Sequence, residues 1–429
     1  MKKLELDLAG SDPRRGLCTM ARGLIGSEIL RIAAEIRAAK LRGARICDLT
    51  VGDFSSKEFP IPTKLRDGVQ RALAAGETNY PPSDGVLRLR EAVRELYKTR
   101  LQLDVPLDSV LVAGGSRPLI FATYAAVIEP GDVVVYPVPS WNNNHYCHLV
   151  GAKGIAVTTR AEDGFLPTLD LIRPHLRTAR LLALNTPLNP AGTVLRTEEL
   201  LRISEAIVAE NRRRAGAGEK PLYMLYDQVY WMLTFGGAQH ETPVHLVPEM
   251  APYTVHIDGI SKAFAATGLR VGWAAGPLAV IAAMKDLLGH VGAWAPRAEQ
   301  VATAELLRDE AEMARYGAEL KSNLQARLDR LHQGFSSMCE AGLPVRDIAP
   351  QGAIYLSAQV QLVGRAGLST NDEVRRYLLE EAGFAVVPFQ AFGLTGENGW
   401  FRLSVGAVSL QDIDDALPRV ESALRKAAG

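Results

Sequence analysis

Short apolar runs alternate with longer stretches in which apolar residues return every three or four positions. The runs 109–113 (SVLVA), 180–184 (RLLAL), 221–226 (PLYMLY) and 253–257 (YTVHI) close on Gly114-Gly115, Asn185, Asp227 and Asp258-Gly259. A fifth, 132–136 (DVVVY), follows the turn pair Pro130-Gly131. Runs this short and this apolar predict strands buried on both faces, and the intervening stretches 86–101 and 197–214 predict helices. Such alternation predicts an α/β domain with a mostly parallel central sheet flanked by helices. Ligands of such sheets gather at the carboxyl ends of the strands. That rule points to Gly114, Asn185, Asp227 and Asp258.

The pattern changes on either side. Residues 27–42 predict an amphipathic helix, and 297–335 a long helical run. Strand candidates at 354–359, 384–388 and 400–405 lie among helical patterns at 371–381 and 409–426. We expect a smaller α+β domain here, joined by the N-terminal helix. The expected division is an arm and helix at 1–46, a large domain at 47–296 and a small domain at 297–429.

The 429 residues carry 48 Lys+Arg and 48 Asp+Glu, so net charge gives no reason to expect a nucleic-acid or membrane partner. The one dense basic patch, Arg212-Arg213-Arg214, reads as a solvated loop between a helix and a strand. Cys18, Cys47, Cys147 and Cys339 form no Cys-x-x-Cys pair, which fits a reducing compartment. The opening Met-Lys-Lys-Leu-Glu-Leu-Asp-Leu is interrupted by acids, and no stretch of 18 apolar residues occurs, so we expect a cytoplasmic protein without a leader or membrane span. His145 and His148 flank Cys147 without a further ligand at useful spacing, so no metal is expected.

Four segments carry chemistry. In Ser261-Lys262-Ala-Phe-Ala-Ala-Thr-Gly268-Leu-Arg270-Val-Gly272, a lysine stands just past a strand end. A lysine there is ordinarily a solvated surface residue, but these flanks are small and apolar. Desolvation of its stem would lower its pKa and prepare the amine for carbonyl attack. In Tyr226-Asp227-Gln-Val-Tyr230, the aspartate ends a buried strand, either as a helix cap or as the partner of a buried cation. In Asn185-Thr-Pro187-Leu-Asn189-Pro190-Ala-Gly192, prolines bracket an asparagine, as a plain turn or as a rigidly held donor. Gly114-Gly115-Ser116-Arg117-Pro118 opens a helix directly after a strand, where an anion is favoured.

Together these segments, with Phe401-Arg402-Leu-Ser, resemble the class I aminotransferases, the aspartate aminotransferase-like pyridoxal-phosphate (PLP) enzymes of fold type I, from about residue 47 to 420. The resemblance implies that Lys262 carries the cofactor as a Schiff base and later moves the Cα proton. It implies that Asp227 pairs with the pyridine nitrogen and that Asn189 and Tyr230 bond the ring 3-oxygen. Trp141 would stack on the ring. Gly115, Ser116 and Arg270 would hold the phosphate, and Tyr80 would reach that of the neighbouring subunit in a homodimer with shared sites. Arg402 would clamp the substrate α-carboxylate, which the backbone of Gly52 would also meet.

Three positions depart from the family pattern. Gly259 stands where a serine is frequent, and Ser261 is the candidate to supply that contact instead. A longer substrate-loop motif is reduced to Gly52-Asp53-Phe54. A lysine that some members use for the substrate side chain is Ser116, which turns attention to Arg117, with His290 or Arg297 of the partner as alternatives. The implied activity is ping-pong transamination between an amino acid, aspartate first, and 2-oxoglutarate. Other donors, or elimination by a carbon–sulfur lyase, start from the same proton loss. A cofactor-sensing transcription regulator is the remote alternative, since no helix-turn-helix pattern precedes the match.

Overall fold

The computed structural model describes residues 6, 12–26 and 28–428. Seven strands form one sheet in the order Val110–Ala113, Gly272–Ala275, Thr254–Gly259, Tyr223–Asp227, Ala179–Asn185, Val133–Val138 and Lys153–Thr158. Only Gly272–Ala275 runs against its neighbours; the others share one direction. The five expected strands are all present within two residues. Two were missed. Lys153–Thr158 lies at the sheet edge with one face exposed, so its sequence is too polar to read as an apolar run. Gly272–Ala275 has one strand-favouring residue, Trp273, among glycine and alanine, a weak local signal that pairing between two strands nevertheless holds extended. Trp273 is buried there as core.

A four-stranded antiparallel sheet, Val387–Pro388, Trp400–Ser404, Tyr355–Val360 and Val345–Ile348, packs with the helices Glu310–Glu340 and Asn371–Ala382. The strand expected at 384–388 is split. Phe384–Ala385 pairs with Cys47–Asp48, and Val387–Pro388 pairs with Trp400–Ser404. The N-terminal helix is Glu28–Leu41, and Ser27 lies outside the described residues. It buries Ile32 and Ile36, and its Glu35 meets the buried Arg375 at 3.0 Å. The run expected at 297–335 is two helices, Arg297–Leu307 and Glu310–Glu340. Asp309 divides them, because its side chain caps the second by accepting from the Glu312 amide at 3.0 Å.

The loop expected at Arg212-Arg213-Arg214 instead lies within the last two turns of the helix Thr197–Ala217. Arg213 pairs with Glu210 and Glu219. Arg214 is buried and donates to the carbonyls of Leu176, Arg177 and Ala179, so it ties the helix end to the start of a central strand. The basic run is therefore structural. A long side chain that finds a ring of free carbonyls is worth more buried than solvated.

Candidate active site

The strand Thr254–Gly259 ends in the single helical turn Ile260–Ala263, which places Lys262 above the carboxyl ends of the sheet. Its Nζ donates to the Gly52 carbonyl at 2.6 Å, with the rings of Tyr230 and Phe54 at 5.6 and 5.8 Å. Part of the side chain stays accessible. Crowding by protein atoms nevertheless pulls its pKa down to about 8, with a further push from the positive charges of Arg402, Arg117 and Arg270 and an opposing one from Asp53. About a tenth of such a population is unprotonated at pH 7.

Asp227 ends the neighbouring strand. Its carboxyl accepts only a long bond, 3.3 Å, from the Val229 amide, and burial pushes it up to about 7. Among the described residues only that amide and the more distant Lys262 favour an ionised Asp227, and burial outweighs both. Asn185 on the adjacent strand braces two of the expected residues: its Nδ2 donates to the Asp227 carbonyl and its Oδ1 accepts from the Asn189 amide. Asn189 in turn accepts from Arg402 Nη1 at 3.2 Å.

Arg402 arrives from the second sheet and is 1% exposed. Nη2 donates to the Thr50 carbonyl at 2.5 Å, and Nε has no partner among the described residues. The guanidinium lies between the rings of Tyr355 and Phe392, at 4.8 and 4.9 Å. Among the described residues the hydrogen bonds of Lys262, Arg270 and Arg402 all run to carbonyl or amide oxygens and none to a carboxylate. Buried guanidinium without a carboxylate partner is costly, and a bound anion relieves it. Tyr355 was not anticipated. Its hydroxyl lies 2.6 Å from that of Tyr230, so it joins Arg402 to the Lys262 side of the site. It stands alone in an ordinary strand pattern and has no motif spacing to mark it.

The third part is an anion cradle. Gly115 (φ 94°) precedes the helix Ser116–Val127, and a β-carbon at Gly115 would stand 2.2 Å from Arg270 Nη2. Only glycine lets the guanidinium lie on that helix terminus. Arg270 itself is anchored through the carbonyls of Thr267 and Gly114 at 2.6 and 3.1 Å. Burial and the nearby Arg117 hold its pKa below the ordinary value. The glycine at 259 also has a reason: a β-carbon there would meet the Val271 carbonyl at 2.7 Å, so a serine would force two strands apart. Ser261 lies half-buried beside Lys262.

Arg117 is exposed, stands 5.3 Å over the half-buried Trp141 ring, and has no carboxylate at ion-pair distance among the described residues. Arg297 is already paired with Glu77, which also holds Arg88, and His290 is exposed at a helix end. Tyr80 is 83% exposed and meets Trp294 edge-on at 5.2 Å.

An amine with a lowered pKa, a buried carboxyl short of a cation and a glycine-lined cradle under an arginine fit PLP at its aldehyde, its pyridine nitrogen and its phosphate. The chain matches the family model "aminotransferase class I and II" over residues 44–420. It is 31% identical to a probable aspartate/prephenate aminotransferase of Thermus aquaticus, covering 96% of this chain and 100% of that one. It is 29% identical to an aspartate aminotransferase of Rhizobium meliloti (strain 1021), covering 92% and 93%. Among solved structures, the aspartate aminotransferase from Thermus thermophilus with maleate superposes with a TM-score of 0.86 at 27% identity, covering 96% and 100%. With the family model spanning most of its length and a relative 31% identical over 96% of it, the chain belongs to the class I and II aminotransferases.

Proposed function

We propose that this PLP-dependent aminotransferase takes its amino group from a dicarboxylic amino acid, aspartate first, and passes it to 2-oxoglutarate. The observation that carries the substrate is Arg117, a cation at the site with no carboxylate partner among the described residues. A distal carboxylate would supply one. The relatives named as aspartate aminotransferases, and the solved structure holding maleate, itself a dicarboxylate, support the same reading.

Arg402, with the backbone of Gly52, holds the substrate α-carboxylate and so fixes the Cα–H bond toward Lys262. Lys262 Nζ takes that proton, a task its lowered pKa allows near neutrality. When bound, the cofactor supplies an electron sink for the pair left at Cα. Asp227 would balance positive charge on the pyridine nitrogen, and Tyr230 and Asn189 would bond the ring 3-oxygen. Trp141 would lie against the ring, while Gly115, Ser116, Ser261 and Arg270 would hold the phosphate. Tyr80, exposed in one chain, completes the site of a second copy in a homodimer. The division at residues 46/47 and 296/297 is part of this reading, supported by the separate seven- and four-stranded sheets, with the short pair Cys47–Asp48 and Phe384–Ala385 crossing it. Four unpaired cysteines support a cytoplasmic setting.

The test is a panel of amino donors with 2-oxoglutarate, run with and without acceptor. Aspartate should be the fastest donor, and Arg117→Met should raise its KM about tenfold or more while changing that for alanine little. Equal effects on both donors would remove Arg117 from the pocket. A faster aromatic donor would overturn the aspartate assignment, and pyruvate formed without acceptor would indicate elimination.

A further inference from the structure

Asp258 is the penultimate residue of the strand Thr254–Gly259 beside Asp227, one residue beyond Ile257, the residue that Asp227 faces in the sheet. It is 1% exposed, and its two oxygens bond different parts of the site. Oδ1 accepts from the Gly259 amide at 2.7 Å, at the head of the turn that carries Lys262. Oδ2 accepts from Trp231 Nε1 at 2.8 Å, at the tail of the segment that carries Asp227 and Tyr230. That segment is a tight turn: the Gln228 amide donates to the Ile257 carbonyl and the Trp231 amide to the Gln228 carbonyl. Outside the sheet, the Asp258 side chain thus ties the lysine turn to the aspartate–tyrosine turn.

We propose that Asp258 is a positioning residue that sets the distance between Lys262 and Asp227 by holding Trp231. The proposal rests on the roles assigned to Lys262 and Asp227 above. The cofactor must meet both at once, the lysine at one end of its ring and the carboxyl at the other. A rigid spacing between the two turns therefore governs how well it binds and how the Cα–H bond is presented. Arg402 keeps anchors of its own on the Thr50 carbonyl and Asn189 and meets this segment through Tyr355 and Tyr230, so most of the grip on the substrate carboxylate stays when the link is broken. Burial and the charge of Asp227 both disfavour ionised Asp258; the Gly259 and Trp231 hydrogen bonds act the other way, with no cation beside them among the described residues. The two acceptor bonds, to Gly259 and to Trp231, are what this buried carboxyl contributes in return for its desolvation.

Asp258→Asn keeps the size and the acceptor for Gly259 but turns an N–H toward the N–H of Trp231. Trp231→Phe removes the same hydrogen bond from the other side. Folding is checked by circular dichroism and by melting of the holoenzyme. Each variant should weaken PLP binding to the stripped protein about tenfold, read from cofactor absorbance, and lower kcat about tenfold with KM for aspartate within about twofold. The double variant should be no worse than the more affected single one, because both break one link. Wild-type cofactor affinity and kcat in either folded variant would overturn the proposal. So would a double variant that loses the product of the single effects, a parallel rise in KM, or an unfolded Asp258→Asn beside a normal Trp231→Phe. Borohydride mapping of the wild type separates the two levels: a cofactor fixed to another lysine sinks the site assignment itself.

Discussion

Replacing Asp227 by asparagine should flatten part of the pH dependence of the cofactor-free protein's stability. The carboxyl ionises near 3.8 in an unfolded chain and near 7 in the fold, where burial is the main cause. Between those values the folded state keeps a proton that the unfolded state has released. Raising the pH therefore favours unfolding, by up to about 1.4 kcal/mol per pH unit, and the stability present at low pH is lost as pH rises toward the folded value. From pH 5 to pH 7 the loss is about 2 kcal/mol, an upper figure because the carboxyl keeps a little accessible surface. Asp258, pushed up to about 8, acts with the same sign, so the wild-type curve alone does not isolate Asp227. The difference between wild type and Asp227→Asn does. Unfolding midpoints in urea for both stripped proteins between pH 5 and 8 give that difference. Bound cofactor should shrink it, because a pyridinium supplies the missing cation. A flat difference curve, or one in which the variant loses more stability with rising pH than the wild type, would refute the burial argument for Asp227.

Lys262→Ala should abolish borohydride fixation of the cofactor and lower turnover by about a thousandfold or more, since both the anchoring amine and the base are removed; peptide mapping and steady-state rates check it. Arg402→Lys should lower kcat/KM for every amino acid by about 10- to 100-fold while leaving the cofactor spectrum unchanged, because an ammonium cannot repeat the two-pronged grip of a buried guanidinium. An unchanged kcat/KM would place the α-carboxylate elsewhere. Mixing Tyr80→Phe and Lys262→Ala subunits should restore activity through hybrid dimers that contain one intact site; no recovery after proven subunit exchange would keep Tyr80 in its own chain's site.

Much of the fold was legible because buried strands leave apolar runs bounded by turn residues, and five of the seven strands of the large sheet fell where that pattern set them. The misses follow from context. Lys153–Thr158 is an edge strand and lacks the pattern, and Arg214 looks solvated until the carbonyls around it are seen. The split at Val386 depends on which strand each half pairs with, which a local pattern does not express.

What the sequence by itself determined is the set of short segments at strand ends: Ser261-Lys262, Asp227 to Tyr230, Asn189-Pro190, Gly114 to Arg117 and Arg402. Each is contiguous in the chain, so its chemistry survives in a linear reading. Tertiary structure decided how they meet. It set Tyr355, from the second sheet, between Arg402 and Tyr230, closed Gly259 to any side chain by bringing Val271 against it, and occupied Arg297 with Glu77. It also gave Asp258 its two partners, one next to it in sequence and one 27 residues away. Burial and charge act through space, so a lysine pulled to about 8 and an aspartate raised to about 7 exist only after distant segments have packed around them.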